Sequence, residues 1–231
     1  MAHNPGSAST GELPRAASVL AVCAHPDDES FGLGAVLAAF AEAGSRTAVI
    51  CFTHGETSTL GADASELGRI RSAELADAAA ELGVGHVELL DYPDGALAHQ
   101  PLAPLTEHVC RVATRVGADL LLVFDEGGIT GHADHDRATE AALRSAEHTH
   151  LPVLAWAVPE RVATALNAEL GTEFVGRATE HLDVVIEVDR RRQHRAIARH
   201  ESQATDNPVL RRRLELQGDH EAFRWLRPPR R

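Results

Sequence analysis

Six short apolar runs constrain this chain more than anything else in it: residues 18–24, 47–53, 86–91, 119–124, 153–158 and 184–188. They are rich in Val, Leu and Ile and do not alternate with polar residues, the pattern of strands buried on both faces of a parallel sheet. Between them lie segments of helical periodicity over 34–43, 66–82, 102–116, 135–147 and 159–170, with a last helix starting near Arg190. Parallel neighbours need crossover helices, so strict alternation predicts an α/β protein: a three-layer sandwich around a mostly parallel central sheet. No internal repeat or linker divides the chain. Residues 1–16, polar and rich in small side chains, read as a loose tail, and 17–231 as one domain with a basic segment from 190.

In such sheets ligands bind beyond the carboxyl ends of the strands, where the strand order reverses. If the order begins 3-2-1-4, the reversal lies between the first and fourth strands. The unusual residues follow those two. After the first comes His25-Pro26-Asp27-Asp28-Glu29, three acids and an imidazole at the end of a buried strand. After the fourth comes FDEGGITGHADHDRA, with His132, Asp134 and His135. Like charges crowded at a buried turn repel each other, and a bound cation answers that repulsion. Two imidazoles with one or two carboxylates suit a catalytic Zn²⁺ with a position left for water. Non-haem Fe²⁺ fits two His and one carboxylate equally well.

Composition removes several other classes. The formal charge of −12 argues against general nucleic-acid binding. Every basic residue other than histidine is arginine, so Schiff-base chemistry and a Walker-type phosphate loop are excluded. Residues 190–231 hold 12 Arg against 5 acids, and the rest is strongly acidic; the basic segment is expected to pack on the acidic body or on a second copy of the chain, leaving a homo-oligomer open. Gly32-Leu33-Gly34 hints at a dinucleotide fingerprint, but Leu37 stands where the third glycine belongs, and three acids would repel a pyrophosphate. No G-x-S-x-G occurs, which sets aside a serine hydrolase. Cys23, Cys51 and Cys110 form no C-x-x-C pair and read as reduced thiols. The N-terminus lacks the apolar core of a signal peptide, and no run is long enough to span a membrane, so a cytoplasmic protein is expected. With 4% aromatic residues, no large stacking platform for sugars is expected.

The motifs together resemble the PIG-L/LmbE family of metal-dependent N-deacetylases. AHPDDE and the distant GHADH carry the likeness; FTHGE at 52–56, LGRIRSAEL at 67–75, DYPDG at 91–95 and RHESQ at 199–203 extend it. The resemblance implies a Rossmann-like fold, usually with zinc, and removal of an N-acyl group from an amino sugar or glycoside. Matched by residue, it implies that His25, Asp28 and His135 hold the metal and that Asp27 is the general base. His132 would face the developing oxyanion, with Asp134 orienting it. Arg71 and Asp94 would contact substrate or else form an ordinary ion pair. Some relatives place a tyrosine just before G-H-x-D-H; Thr130 stands there in this chain. An amidase cleaving a larger acyl group, as from a mycothiol conjugate, is the near alternative. A non-haem Fe²⁺ oxygenase is more remote, because such sites commonly occupy β-barrels. Specificity is expected in loop 55–66 and in the segment from Arg190 onward.

Overall fold

The structure, a computed structural model, describes residues 11–58 and 64–230. Eight strands form one mostly parallel sheet: β1 (Ser18–Cys23), β2 (Arg46–Thr53), β3 (His86–Tyr92), β4 (Leu120–Phe124), β5 (Val153–Pro159), β6 (Gly176–Arg177), β7 (Val184–Glu187) and β8 (His220–Arg227). The order is β3-β2-β1-β4-β5-β8-β7, with β6 paired to the end of β5. Strands β3 to β5 run parallel; β8 is antiparallel to both β5 and β7. The expected 3-2-1-4 start is therefore present, and the reversal lies between β1 and β4.

The helices are α1 (Asp28–Phe31), α2 (Gly34–Glu42), α3 (Ala64–Leu82), α4 (Leu102–Val116), α5 (Gly128–Gly131), α6 (Ala133–Thr149), α7 (Glu160–Leu170), α8 (Arg191–Ile197), α9 (Glu201–Ala204) and α10 (Pro208–Gln217). Strand β1 shows why its sequence does not alternate. Val19, Ala21 and Cys23 pack on one face with residues of α2, α3, α7 and α8. Leu20, Val22 and Ala24 pack on the other, with Leu105, Val109 and Val112 of α4 and Ala138, Ala141 and Ala142 of α6. Both faces of β1 are buried, and each fully buried Val or Leu contributes about 1.5–3 kcal/mol. The start of β1 is fixed by Asp119, whose carboxylate accepts the Ala17 and Ser18 amides, both at 2.9 Å.

Two features depart from the expected organisation. Strand β8 comes from the arginine-rich end, where no strand was expected, and it fills the gap between β5 and β7. Its polar residues are satisfied rather than solvated: Glu221, 1% exposed, accepts from Arg190 Nη1 at 2.5 Å and Trp156 Nε1 at 2.6 Å. The N-terminal tail lies outside the described residues as far as residue 10. From there the chain is held, since the Gly11 amide donates to the Val185 carbonyl and Leu13 and Ala16 pack on the core. The basic segment lies on acidic partners of its own chain: Arg195 and Arg199 meet Glu81, Arg192 meets Glu42 and Arg212 meets Glu169. Among the described residues no helix is long and apolar enough to cross a membrane.

Candidate functional site

Leaving β1, the chain turns sharply, and the Asp28 carboxylate holds the turn. Its Oδ2 accepts the amides of Ala24 and His25, each at 2.9 Å. Asp27 takes φ 124°, a conformation strained for any side chain but glycine. Two contacts hold it there: its amide donates to Glu29 Oε2 at 3.0 Å, and Arg71 Nη2 donates to its carboxylate at 2.9 Å. Asp27 occupies the N-cap position of α1 but makes no side-chain cap bond, so capping does not account for it. Glu29 is fully buried and accepts from His200 Nε2 at 2.7 Å and from Ser30 Oγ.

The second loop leaves β4 and enters α6 through His132, the N-cap residue, whose Nδ1 accepts the Asp134 amide at 3.2 Å. One turn on, His135 Nδ1 lies 2.9 Å from the Gly128 carbonyl. A carbonyl can only accept, so Nδ1 carries the proton and Nε2 presents a lone pair. That Nε2 stands 3.0 Å from Asp28 Oδ1 and 3.2 Å from His25 Nδ1. The other nitrogen of His25, Nε2, is 3.0 Å from Asp94 Oδ1 and 3.5 Å from Asp134 Oδ2. Faced by two carboxylates, it carries the proton and leaves Nδ1 as an acceptor. With both rings neutral, as ligation of a metal requires, three acceptors, His25 Nδ1, His135 Nε2 and Asp28 Oδ1, point at one another. His25, Asp28 and His135 form a group whose ligand atoms lie within 4.8 Å of one another; His25, His132 and Asp134 form a second such group. The first fits a divalent ion better, because both Asp134 oxygens already accept backbone amides, from Gly95 at 2.8 Å and Leu97 at 3.0 Å. Asp94 and Asp134 then play the outer carboxylates that orient a ligating imidazole.

The electrostatics match. Burial alone would lower the His25 imidazole; the Asp134 and Asp94 carboxylates beside it and the charge of Asp28 outweigh it and push it up to about 10. His135 is raised too, Asp28 overcoming burial. Asp28 is held well below the usual carboxylate range by His135 and His25, against burial. A field that holds protons so firmly also favours a cation. The neighbouring Asp27 is pushed the other way, up to about 6, by burial and the Asp28 charge against the pull of Arg71.

Several expected roles change. Asp134 was expected to orient His132, yet its carboxylate serves His25 and the 95–97 backbone, because the chain after β3 supplies two amides closer than the His132 ring. Burial and the charges of His25 and His135 lower the His132 imidazole, against the pull of Asp134. Arg71 is 3% exposed and makes protein contacts, to the Gly55 carbonyl at 2.6 Å, the Pro26 carbonyl and Asp27; the acid it pairs with is Asp27, not Asp94. Asp94 accepts from the amide and hydroxyl of Thr57 at 2.9 and 2.7 Å and faces His25. Glu29 and His200 emerge as the buried support of the Asp27 turn. Nothing in their spacing signals that pairing, since 171 residues separate them. Cys23 belongs to neither ligand group.

His25, Asp27, Asp28, His132 and His135 line a cavity of about 600 Å³. Arg71 and Asp94 lie in its wall, and so does Thr130. Aromatic side chains nonetheless gather in this wall, three of them almost wholly buried. Phe31, Phe124, Trp156 and Phe174, four of the nine aromatic residues, meet at this cavity from four separate segments. Of the loop expected to set specificity, Thr57 and Ser58 reach the cavity, and residues 59–63 lie outside the described residues.

Known proteins share this architecture. The chain is similar to a 1D-myo-inositol 2-acetamido-2-deoxy-α-D-glucopyranoside deacetylase of Kineococcus radiotolerans, 30% identical over 169 residues, which cover 60% of this chain and 47% of that protein. It spans about half the length of the curated relatives it matches. Among solved structures, the N,N'-diacetylchitobiose deacetylase of Pyrococcus horikoshii superposes with a TM-score of 0.68 at 23% identity, over 92% of this chain and 84% of that one. The 4-carboxy-2-hydroxymuconate hydratase of Pseudomonas putida KT2440 superposes with a TM-score of 0.71 at 19% identity, over 93% and 98%. A deacetylase and a hydratase on one scaffold establish the fold and leave the reaction to the site. The family described as PIG-L: GlcNAc-PI de-N-acetylase matches residues 20–146, more than half of the sequence and both metal-side loops, and the chain belongs to that family.

Proposed function

We propose that the chain is a metal-dependent amide hydrolase that removes an N-acetyl or other N-acyl group from an amino sugar or glycoside. The observation that carries this reading is the meeting of His25 Nδ1, His135 Nε2 and Asp28 Oδ1 beside a second, differently tuned carboxylate. His25, Asp28 and His135 would hold the ion; two nitrogens and one carboxylate oxygen suit Zn²⁺, and Fe²⁺ or another divalent ion fits the same set. Bound there, the ion would polarise the scissile carbonyl and make water acidic at neutral pH.

The chain's own groups do the rest. Asp27, at about 6, is a base matched to neutral pH and takes a proton from the attacking water. Arg71 fixes the direction of that carboxylate through Nη2. His132 accepts the Asp134 amide on Nδ1, so its neutral ring carries the proton on Nε2 and donates to the carbonyl oxygen as negative charge develops there. The proton gained by Asp27 then passes to the departing amine. The inositol glycoside in the relatives' names lies nearer the mycothiol-type alternative than a free amino sugar, and the cavity has room for more than one ring.

The test loads the metal-free protein with Zn²⁺ or, anaerobically, Fe²⁺. Free amine is then followed from N-acetylglucosamine, its myo-inositol glycoside and a thiol conjugate of the latter. Asp27→Asn should keep the metal and lose turnover at least ~100-fold. Absence of amine from every substrate overturns the hydrolase, and loss of metal in Asp27→Asn exchanges the roles of the two aspartates.

A further inference from the structure

Away from the metal-side residues one part of the cavity wall is apolar, formed by Phe31, Phe124, Trp156, Phe174 and Leu210 beside the polar Gln203 and Asn207, and one cation is set into it. Arg213 of α10 is 4% exposed yet lines the same space. Its guanidinium is held by neutral groups only. Nη1 donates to Gln217 Oε1 at 2.5 Å, Nη2 donates to the Phe31 carbonyl, and Cζ lies 5.0 Å from the Trp156 ring centroid. Among the described residues no carboxylate stands within ion-pair distance of Arg213. Glu221, the acid whose charge reaches it, is engaged by Arg190, Trp156 and Gln217. Two buried guanidinium groups thus share one carboxylate. An unpaired buried charge is strongly destabilising, and an anion seated against it removes that penalty. Burial pushes Arg213 down only to about 10, so it stays charged at neutral pH.

Aromatic rings lead from the metal side to this cation. The His135 and Phe124 rings meet at 4.9 Å, Phe124 and Trp156 at 5.4 Å, and Trp156 then meets Arg213. The geometry points to a substrate that is anionic as well as acylated: Arg213 anchors a carboxylate or similar anion, carried from the reacting amide on an apolar, ring-sized spacer that lies against Phe124 and Trp156. What happens at the amide rests on the hydrolase reading above; the anchor itself is a statement about binding. Arginine suits the role because its planar fork can take both oxygens of a carboxylate.

Matched compounds test it. On the amine side, the 4-methylphenyl and 4-carboxyphenyl glycosides of N-acetylglucosamine differ only in charge. On the acyl side, N-(4-methylbenzoyl)- and N-(4-carboxybenzoyl)-glucosamine do the same. Affinity is measured by calorimetry on the metal-free protein, and kcat/KM by amine release from the zinc-loaded protein. In one pair the carboxylate member should be preferred about tenfold or more, chiefly in KM. The pair that shows the preference identifies the arm bearing the anion. Arg213→Gln should bring that ratio near unity, and Arg213→Lys should keep part of it. Equal affinity within both pairs overturns the anchor, as does a preference that survives Arg213→Gln. Should the glutamine variant fail to fold, the ratios on the unaltered protein still decide. Tight, Arg213-dependent binding of a carboxylate with no amine released would sink the hydrolase and leave the anchor standing.

Discussion

A single methyl group at position 32 probes the packing behind the proposed metal site. An ideal Cβ on Gly32 would lie 2.3 Å from Phe124 Cε1, 2.6 Å from Phe124 Cζ and 3.4 Å from Trp156 Cε3. The backbone there, at φ −91°, accepts alanine without strain, and losing glycine's freedom in the unfolded chain would by itself add about 0.4–1 kcal/mol of stability. Sterics oppose this. The Phe124 ring must recede by about 1.1 Å to turn 2.3 Å into a 3.4 Å contact, and overpacking of this kind costs about 1–3 kcal/mol. The ring has little free travel, lying tilted at 43° on Trp156 and edge-on to His135 at 4.9 Å. Steric cost should win: Gly32→Ala is expected to lose about 1–2 kcal/mol and to weaken Zn²⁺ binding by shifting His135. Urea unfolding of the metal-free protein reads the first effect and calorimetric Zn²⁺ titration the second. Phe124→Leu removes the obstructing ring edge, so the alanine should cost less in that background, with a coupling of at least about 0.5 kcal/mol. Wild-type stability in Gly32→Ala, or an equal loss with and without the Phe124 ring, refutes the account.

Two further changes address the site directly. His135→Ala should reduce metal affinity by more than the ~10–100-fold that loss of an outer partner costs; full zinc content by metal analysis would remove His135 from the ligand set. His200→Gln keeps a donor for Glu29 but removes the charge. In the folded chain the His200 imidazole is raised above 6.5 by Glu29, against burial. Stabilisation from this pair is then complete below about pH 6.5 and fades as pH climbs through the raised value. The variant should be less stable by about 1–3 kcal/mol near pH 6, with a smaller gap near pH 9 in denaturant titrations; a gap that widens with pH would refute the pairing.

How far the sequence announced this arrangement depended on the range of the interactions. Strands buried on both faces are continuous apolar runs, so β1 to β5 and β7 could be placed within a residue or two. Strand β8, HEAFRWLR, hides because Glu221 finds partners in Arg190 at the N-cap of α8, Trp156 of β5 and Gln217 of α10, and Arg224 in Asp125 just past β4: burial there follows pairing, which composition does not carry. Helix α10 opens on Asn207-Pro208, with Asn207 accepting the Leu210 amide, inside a stretch whose composition is dominated by arginine. At the site, the groups that follow β1 and β4 were legible because topology alone brings those two strand ends together. The partners of those groups were not. Whether Asp134 serves His132 or His25 is settled by where the chain after β3 places the amides of Gly95 and Leu97, a tertiary fact without a local pattern.

The crowding of three adjacent acids at a buried strand end has a structural answer. Each acid faces a different basic side chain from a different part of the chain. Asp27 is paired with Arg71 of α3, Asp28 with the imidazole of His135 in α6, and Glu29 with His200 between α8 and α9. Repulsion among the acids is thereby converted into a requirement for three long-range contacts, and the turn is complete only when α3, α6 and the C-terminal segment have all docked. The same division separates the chemistry of the two aspartates. Imidazoles hold Asp28 low and ionised, fit to ligate, whereas burial and the Asp28 charge lift Asp27 to about 6, where it can accept and return a proton. Two carboxylates driven apart by their surroundings can serve as ligand and base on neighbouring residues, and that divergence arises from the partners each acid meets rather than from the acids themselves.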